Sequence, residues 1–125
     1  MSNKAYGIVI VSHIDSLVEG LVKLLREAAT EVSITYAGGT NEGEVGTSFE
    51  KINQAILENE ADEIFAFYDL GSAKMNLEMV IEMTDKKIHL MDTAMVEGAY
   101  TAAALTQTGM SLEEIMDQLN PLLIK

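Results

Sequence analysis

The 125-residue chain contains no cysteine and no tryptophan, one proline and only two histidines. Without cysteine, disulfide frameworks, thiol nucleophiles and thiolate metal sites are all excluded. His13 and His89 lie too far apart in sequence to suggest a metal-ligand spacing. Positive charge is scarce as well. Eight Lys and Arg stand against twenty Asp and Glu, for a formal net charge of -12 at pH 7 and a pI near 4.3. Such a surface repels nucleic acid and anionic lipid, whose binding needs a basic patch. It suits simple solubility, or salt-sensitive encounter with a basic protein partner. No apolar run approaches the ~20 residues of a spanning helix. Met1-Ser2-Asn3-Lys4 leads into a strand-like run without signal-peptide architecture, so the expected location is the cytoplasm.

What the chain does have is a globular composition, 48% hydrophobic and 22% charged, at a length suited to one domain over residues 1–125. Four strand-like runs stand out: Ala5 to Val11, Val32 to Ala37, Ile64 to Tyr68 and Lys87 to Met91. The first and third are almost continuously apolar, as in strands covered on both faces. Helical spacing fills the intervals. Leu17, Leu21, Leu24 and Ala28 recur at three and four, as do Phe49, Ile52 and Ile56, then Met75, Met79 and Met83, and finally Leu112, Ile115 and Leu119. The methionines read as core, and the alanine-rich stretch Val96 to Thr106 as a well-buried helix. Ser16 with Glu19, Thr47 with Glu50 and Ser111 with Glu114 each fit a capping box. Strand and helix thus alternate four times before a last helix. The order predicts an α/β domain with an open parallel four-stranded sheet and helices on both faces.

In such sheets ligands bind beyond the carboxyl ends of the strands. The four runs end in Ser12-His13, Gly38-Gly39-Thr40, Asp69-Leu70-Gly71-Ser72 and Asp92-Thr93, and a second glycine-containing stretch, Gly43 to Ser48, follows the second. Helix N-termini gather on the same edge, where free N–H groups and glycines suit a phosphate. His13 has two readings. Its ring can hydrogen-bond a neighbouring loop, or a ring nitrogen can accept a transferable group. The second needs an acceptor for the other nitrogen, which Asp69 supplies if the first and third strands are neighbours. Asp69 otherwise reads as a turn or cap, Ser72 as a helix cap or a phosphate donor, and Gly38, Gly39 and Gly46 as turn glycines. His89 reads as packing or edge decoration. No acidic cluster converges beside His13, so no metal is expected.

The stretches "GIVIVSH", "GGTNEGEVGTSFEKINQAI", "FYDLGSAKMNLEMV" and "VEGAYTAA" follow one another with family-like spacing from about residue 6 to about residue 104. In them the chain resembles the phosphotransferase subunits of phosphoenolpyruvate-dependent dihydroxyacetone kinases, relatives of the mannose-type IIA proteins of the sugar phosphotransferase system. "DLGSAKMN" with "EGAYTAA" favours the dihydroxyacetone branch over the sugar-transport branch. The resemblance implies that His13 is phosphorylated through Nε2, that Asp69 orients it through Nδ1, and that Gly39, Thr47, Gly71 and Ser72 line the phosphate. It further implies a relay from phosphoenolpyruvate through enzyme I and the carrier HPr to His13. From there the phosphoryl group passes to ADP on the nucleotide-binding kinase subunit. ADP, ATP and Mg would belong to that partner, with no cofactor on this chain, and family members form homodimers. Ile14 and Lys74 depart from the pattern, standing where a small or polar residue and an arginine are usual. Lys74 keeps the charge without the bidentate fork. Three rival readings stay open: a mannose-type sugar IIA component, a receiver-like phosphoacceptor, and a regulatory module without turnover. Against the receiver, the first strand ends in Ser-His instead of an acidic metal-binding pair.

Overall fold

The computed structural model describes residues 4–125; Met1, Ser2 and Asn3, on which the reading of the leader partly rests, lie outside the described residues. Four parallel strands, β1 (Gly7–Ser12), β2 (Ile34–Gly38), β3 (Glu63–Tyr68) and β4 (Lys87–Leu90), form one sheet in the order β2-β1-β3-β4. The helices α1 (Asp15–Ala28), α2 (Phe49–Glu58), α3 (Gly71–Met83) and α4 (Met95–Gln107) each follow a strand. They are succeeded by α5 (Leu112–Leu119) and a short 3-10 turn that holds Pro121. This is the expected open parallel sheet with helices on both faces.

Alternation along the strands builds two cores. Ile8 and Ile10 of β1 and Phe65 and Phe67 of β3 point to one face, where α1, α4 and α5 cover them. Val9, Val11, Ile64, Ala66 and Tyr68 point to the other, under α2 and α3. β1 is buried along its whole length and β3 from Ile64 onward, which is why both are written in apolar residues.

Several local expectations are corrected. In α1 the buried stripe is Val18, Leu21, Val22 and Leu25, while Leu17 and Leu24 are 43% and 49% exposed. The face that meets the sheet lies one residue along from the leucine row and is completed by valines. In α3 the methionines are not core. Met75, Met79 and Met83 are 68%, 54% and 72% exposed, and Ala73, Leu77 and Val80 make the sheet contact instead. The helix is apolar on two sides, so the row of larger side chains did not mark the inner one. α4 buries only its small-residue face, Gly98, Ala99, Ala102, Ala103 and Thr106, and leaves Val96 and Tyr100 exposed.

Of the three capping boxes, Ser111–Glu114 forms in both directions. α2 is capped one residue later than expected, by Ser48 on the Lys51 N–H. α1 starts at Asp15 with Ile14 at its N-cap and no side-chain cap, so Ser16 caps nothing.

A candidate phosphoacceptor site at the turning point of the sheet

β1 has β2 on one side and β3 on the other, so the connections from β1 and β2 run in opposite directions and a crevice opens between the ends of β1 and β3. His13 leaves β1 there, and Asp69 leaves β3. The Asp69 N–H donates to the Val11 carbonyl at 3.2 Å, continuing the ladder by one residue and bringing the two side chains together. Asp69 Oδ1 lies 2.8 Å from His13 Nδ1, and both side chains are 16% exposed.

Four donors hold the carboxylate. Oδ2 accepts the His13 backbone N–H at 2.9 Å and the Ser12 hydroxyl at 2.8 Å, while Oδ1 accepts the Leu70 N–H at 2.7 Å beside the His13 ring. Partial burial pushes the Asp69 pKa up. The bonds from the His13 backbone and ring, from Ser12 and from Leu70 outweigh it and hold the carboxyl below its usual range. Asp69 is therefore an ionised acceptor, and the proton facing it belongs to His13 Nδ1. In the neutral ring this fixes the tautomer and leaves Nε2 with the free electron pair. That pair points at the Ser72 hydroxyl, whose Oγ lies 2.5 Å away and donates to it.

Helix termini complete the environment. α1 and α3 both start beside His13 and, like α4, have no side-chain cap, whereas α2 and α5 are capped by Ser48 and Ser111. The N–H groups of Gly71 and Ser72, in the first turn of α3, have no acceptor among the described residues. Uncapped N–H groups with the positive end of the helix dipole favour an anion next to Nε2.

The β2–α2 loop closes another side. Gly39 has φ +73, a left-handed conformation that lets the chain turn straight off β2, and its N–H is taken by the Ser12 carbonyl at 3.1 Å. Gly39 thus shapes the loop, and its amide is already engaged. Gly46 N–H donates to the His13 carbonyl at 2.9 Å, drawing the loop over the histidine backbone. Thr47 Oγ1 accepts from Asn76 Nδ2 of α3 at 2.6 Å and ties the loop to that helix. Gly38 allows β2 and α1 to touch, since a Cβ there would come within 2.6 Å of the Asp15 Cα. A cavity of about 270 Å³ lies between His13, the start of α1 and Gly43–Val45 of the loop.

Of the sequence-predicted residues, Asp69 meets His13 at Nδ1 and Ser72 meets it at Nε2, Gly71 opens the same first turn of α3, and Gly39 and Thr47 frame the loop. Ile14 is 41% exposed at the mouth, and its N–H donates to Ser12 Oγ at 3.0 Å. His89 packs on Phe65 and pairs with Glu63, Nε2 to Oε2 at 2.6 Å, away from the site. Sequence reasoning passed over Ser12 as a ligand of Asp69, although a hydroxyl one residue before the histidine was its signal. It also passed over Asp92, which accepts from the Tyr68 hydroxyl at 2.5 Å and pairs with Lys74 at 2.9 Å. Its position at a strand end was the available sign. Among the described residues no group of three or more His, Cys, Asp or Glu is placed to hold a metal, and no helix is long and apolar enough to cross a membrane.

Comparisons with known proteins show the family. The model of the EIIA-man family, described as PTS system fructose IIA component, matches residues 7–116. The chain is 52% identical over 120 residues to the PTS-dependent dihydroxyacetone kinase phosphotransferase subunit DhaM of Lactococcus lactis, covering 96% of this chain and 98% of that one. It is 48% identical over 122 residues to the PEP-dependent dihydroxyacetone kinase 1 phosphoryl donor subunit DhaM of Listeria innocua, covering 98% of each. A crystal structure of EF1359, a protein of unknown function, superposes with a TM-score of 0.83 at 28% identity, over 100% of this chain and 98% of the other. The chain belongs to the EIIA-man family of phosphotransferase-system components, among its DhaM-type phosphotransferase subunits.

Proposed function

We propose that this protein is the phosphoryl donor subunit of a phosphoenolpyruvate-dependent dihydroxyacetone kinase, carrying the phosphoryl group on His13 Nε2. The observation that supports this most is the held tautomer: Nδ1–H is committed to an ionised Asp69, so Nε2 alone is nucleophilic. In the first step the Nε2 electron pair attacks the phosphorus of the phosphohistidine on the carrier HPr. The new N–P bond forms as the carrier's N–P bond breaks, and the electron pair returns to the carrier's ring. The ring of His13 gains positive charge, which the adjacent Asp69 carboxylate stabilises. In the second step a terminal oxygen of ADP, held on the nucleotide-binding kinase subunit, attacks the same phosphorus, and the pair returns to Nε2.

Ser72 must let go of Nε2 before the first step. It is exposed, so a χ1 rotation releases the ring and turns the hydroxyl toward the oxygens of the incoming phosphoryl group. The free N–H groups of Gly71 and Ser72 are suited to the same oxygens. No metal is needed on this chain. ADP and Mg belong to the partner, and the relay is placed in the cytoplasm as a homodimer. The names of the relatives favour the kinase branch over a sugar-transport IIA component. The test is reconstitution with phosphoenolpyruvate, enzyme I, HPr, the two other kinase subunits and dihydroxyacetone. Product formation that depends on this chain and on its His13 supports the proposal; transfer to a sugar transporter in place of ADP contradicts it.

A further inference from the structure

Lys125 is folded back onto the sheet beside this site. Its Nζ donates to the carbonyl of Tyr68 at 2.5 Å and lies 4.3 Å from the centre of the Tyr68 ring. That carbonyl belongs to the peptide unit joining Tyr68 to Asp69, whose N–H donates to Val11 at 3.2 Å. The unit that carries Asp69 is thus gripped from β1 on one side and by an ammonium group on the other.

The grip is itself anchored. The N–H groups of Ile124 and Lys125 both donate to the Asp92 carbonyl, at 3.0 and 3.2 Å, and Leu123 forms an antiparallel bridge with Thr93. The Asp92 carboxylate accepts from the Tyr68 hydroxyl and pairs with Lys74. Tyr68, Lys74, Asp92 and Lys125 therefore form one network across the ends of β3 and β4. Its link to the His13–Asp69 pair runs through one peptide. The ammonium is partly desolvated on the Tyr68 ring, which lowers its pKa, while the carboxylates of Asp69 and Asp92 pull the other way. Holding a flexible lysine in one pose costs side-chain entropy, which these fixed partners offset.

We infer that Lys125 is a positioning residue for the His13–Asp69 pair, setting the place of the aspartate by holding the carbonyl of the preceding residue. It acts through Asp69 and touches no reacting atom. Its kinetic consequence rests on the proposed relay, but its structural consequence does not. Displacing a catalytic group by a fraction of an ångström is enough to slow a step that depends on alignment.

The test compares Lys125→Met, which keeps an apolar stem over the Tyr68 ring, with Lys125→Arg, which restores charge and donors. Far-UV circular dichroism verifies that both are folded. In the unphosphorylated protein, the expected result is a His13 Nδ1–H NMR resonance that shifts or broadens in Lys125→Met and returns in Lys125→Arg. An unmoved resonance in Lys125→Met overturns the inference, whether or not any carrier acts on the protein. With phospho-HPr as donor, Lys125→Met is expected to lower kcat about tenfold at unchanged KM, with Lys125→Arg near the parent. A loss confined to KM overturns it too, because Lys125 would then be a docking contact. Failure of the parent itself to take up phosphate would count against the relay and leave the resonance to decide on Lys125.

Discussion

Asp69 Oδ1 faces His13 Nδ1 at 2.8 Å across the seam between β1 and β3, while Oδ2 of the same carboxylate accepts the His13 backbone N–H. One aspartate therefore fixes both the ring and the main chain of one histidine. Asparagine keeps the shape but turns one of the two accepting oxygens into an NH2 donor, so the tautomer is no longer held and the core stays closed. Asp69→Asn is expected to slow phosphoryl uptake on the order of a hundredfold or more, with the fold retained. Quenched-flow phosphorylation beside circular dichroism checks this, and an unaltered rate removes Asp69 from the mechanism.

The same residue ties stability to pH. Its carboxyl is held below the ordinary value of 3.8, so the folded state favours the ionised form. That contribution is fully present above pH 4 and is lost as pH falls through the lower folded value. Urea unfolding at pH 6 and at pH 3 should therefore show a smaller acid loss in Asp69→Asn than in the parent. An equal loss in both would mean that the four hydrogen bonds do not favour the charged form.

Ser72 makes a separate prediction. Its hydroxyl occupies the Nε2 electron pair at 2.5 Å in the resting site and is the nearest side-chain donor to a phosphoryl group placed there. Ser72→Ala should slow phosphoryl transfer by about a hundredfold to a thousandfold, the range of a lost electrostatic donor. Its urea midpoint should change little, because residue 72 is exposed. A faster reaction in Ser72→Ala would show that the ground-state hydrogen bond outweighs the donor role.

Gly98 tests the packing behind the site. A Cβ there would stand 2.0 Å from Thr93 Oγ1 and 3.1 Å from the Phe67 ring. Gly98→Ala is expected to destabilise the fold by about 1–3 kcal/mol through overpacking, despite the better helix propensity of alanine. Equilibrium unfolding gives the number. A stabilised variant would mean that α4 can move away from Thr93 and β3 at no cost.

Charge supplies a kinetic prediction. With a net charge of -12, the chain should attract a carrier through a basic face. Phosphorylation by HPr is expected to slow as salt rises from low to physiological ionic strength, mainly through association. A flat salt response contradicts steering.

The reach of sequence reasoning differed from element to element. β1 and β3 were legible because strands buried on both faces must be continuously apolar, and their ends brought His13, Asp69 and Ser72 into view before any geometry. The inner face of α3 was not legible. Ala73, Leu77 and Val80 touch the sheet while Met75, Met79 and Met83 face outward, and both rows are apolar at helical spacing. The cap of α1 was misplaced for an informative reason. The helix beside His13 leaves its first N–H groups without a side-chain partner, against the ordinary rule that Ser16 and Glu19 seemed to satisfy. Lys125 was out of reach, because its contact with Tyr68 spans 57 residues and has no periodic signature.

The most direct measurement of the central claim is the intact mass of the protein after incubation with phosphoenolpyruvate, enzyme I and HPr, for the parent and for His13→Ala. The account predicts a gain of one phosphoryl group that is acid-labile, base-stable and absent from the variant. No gain with carriers shown to be active, or an equal gain in His13→Ala, would contradict it.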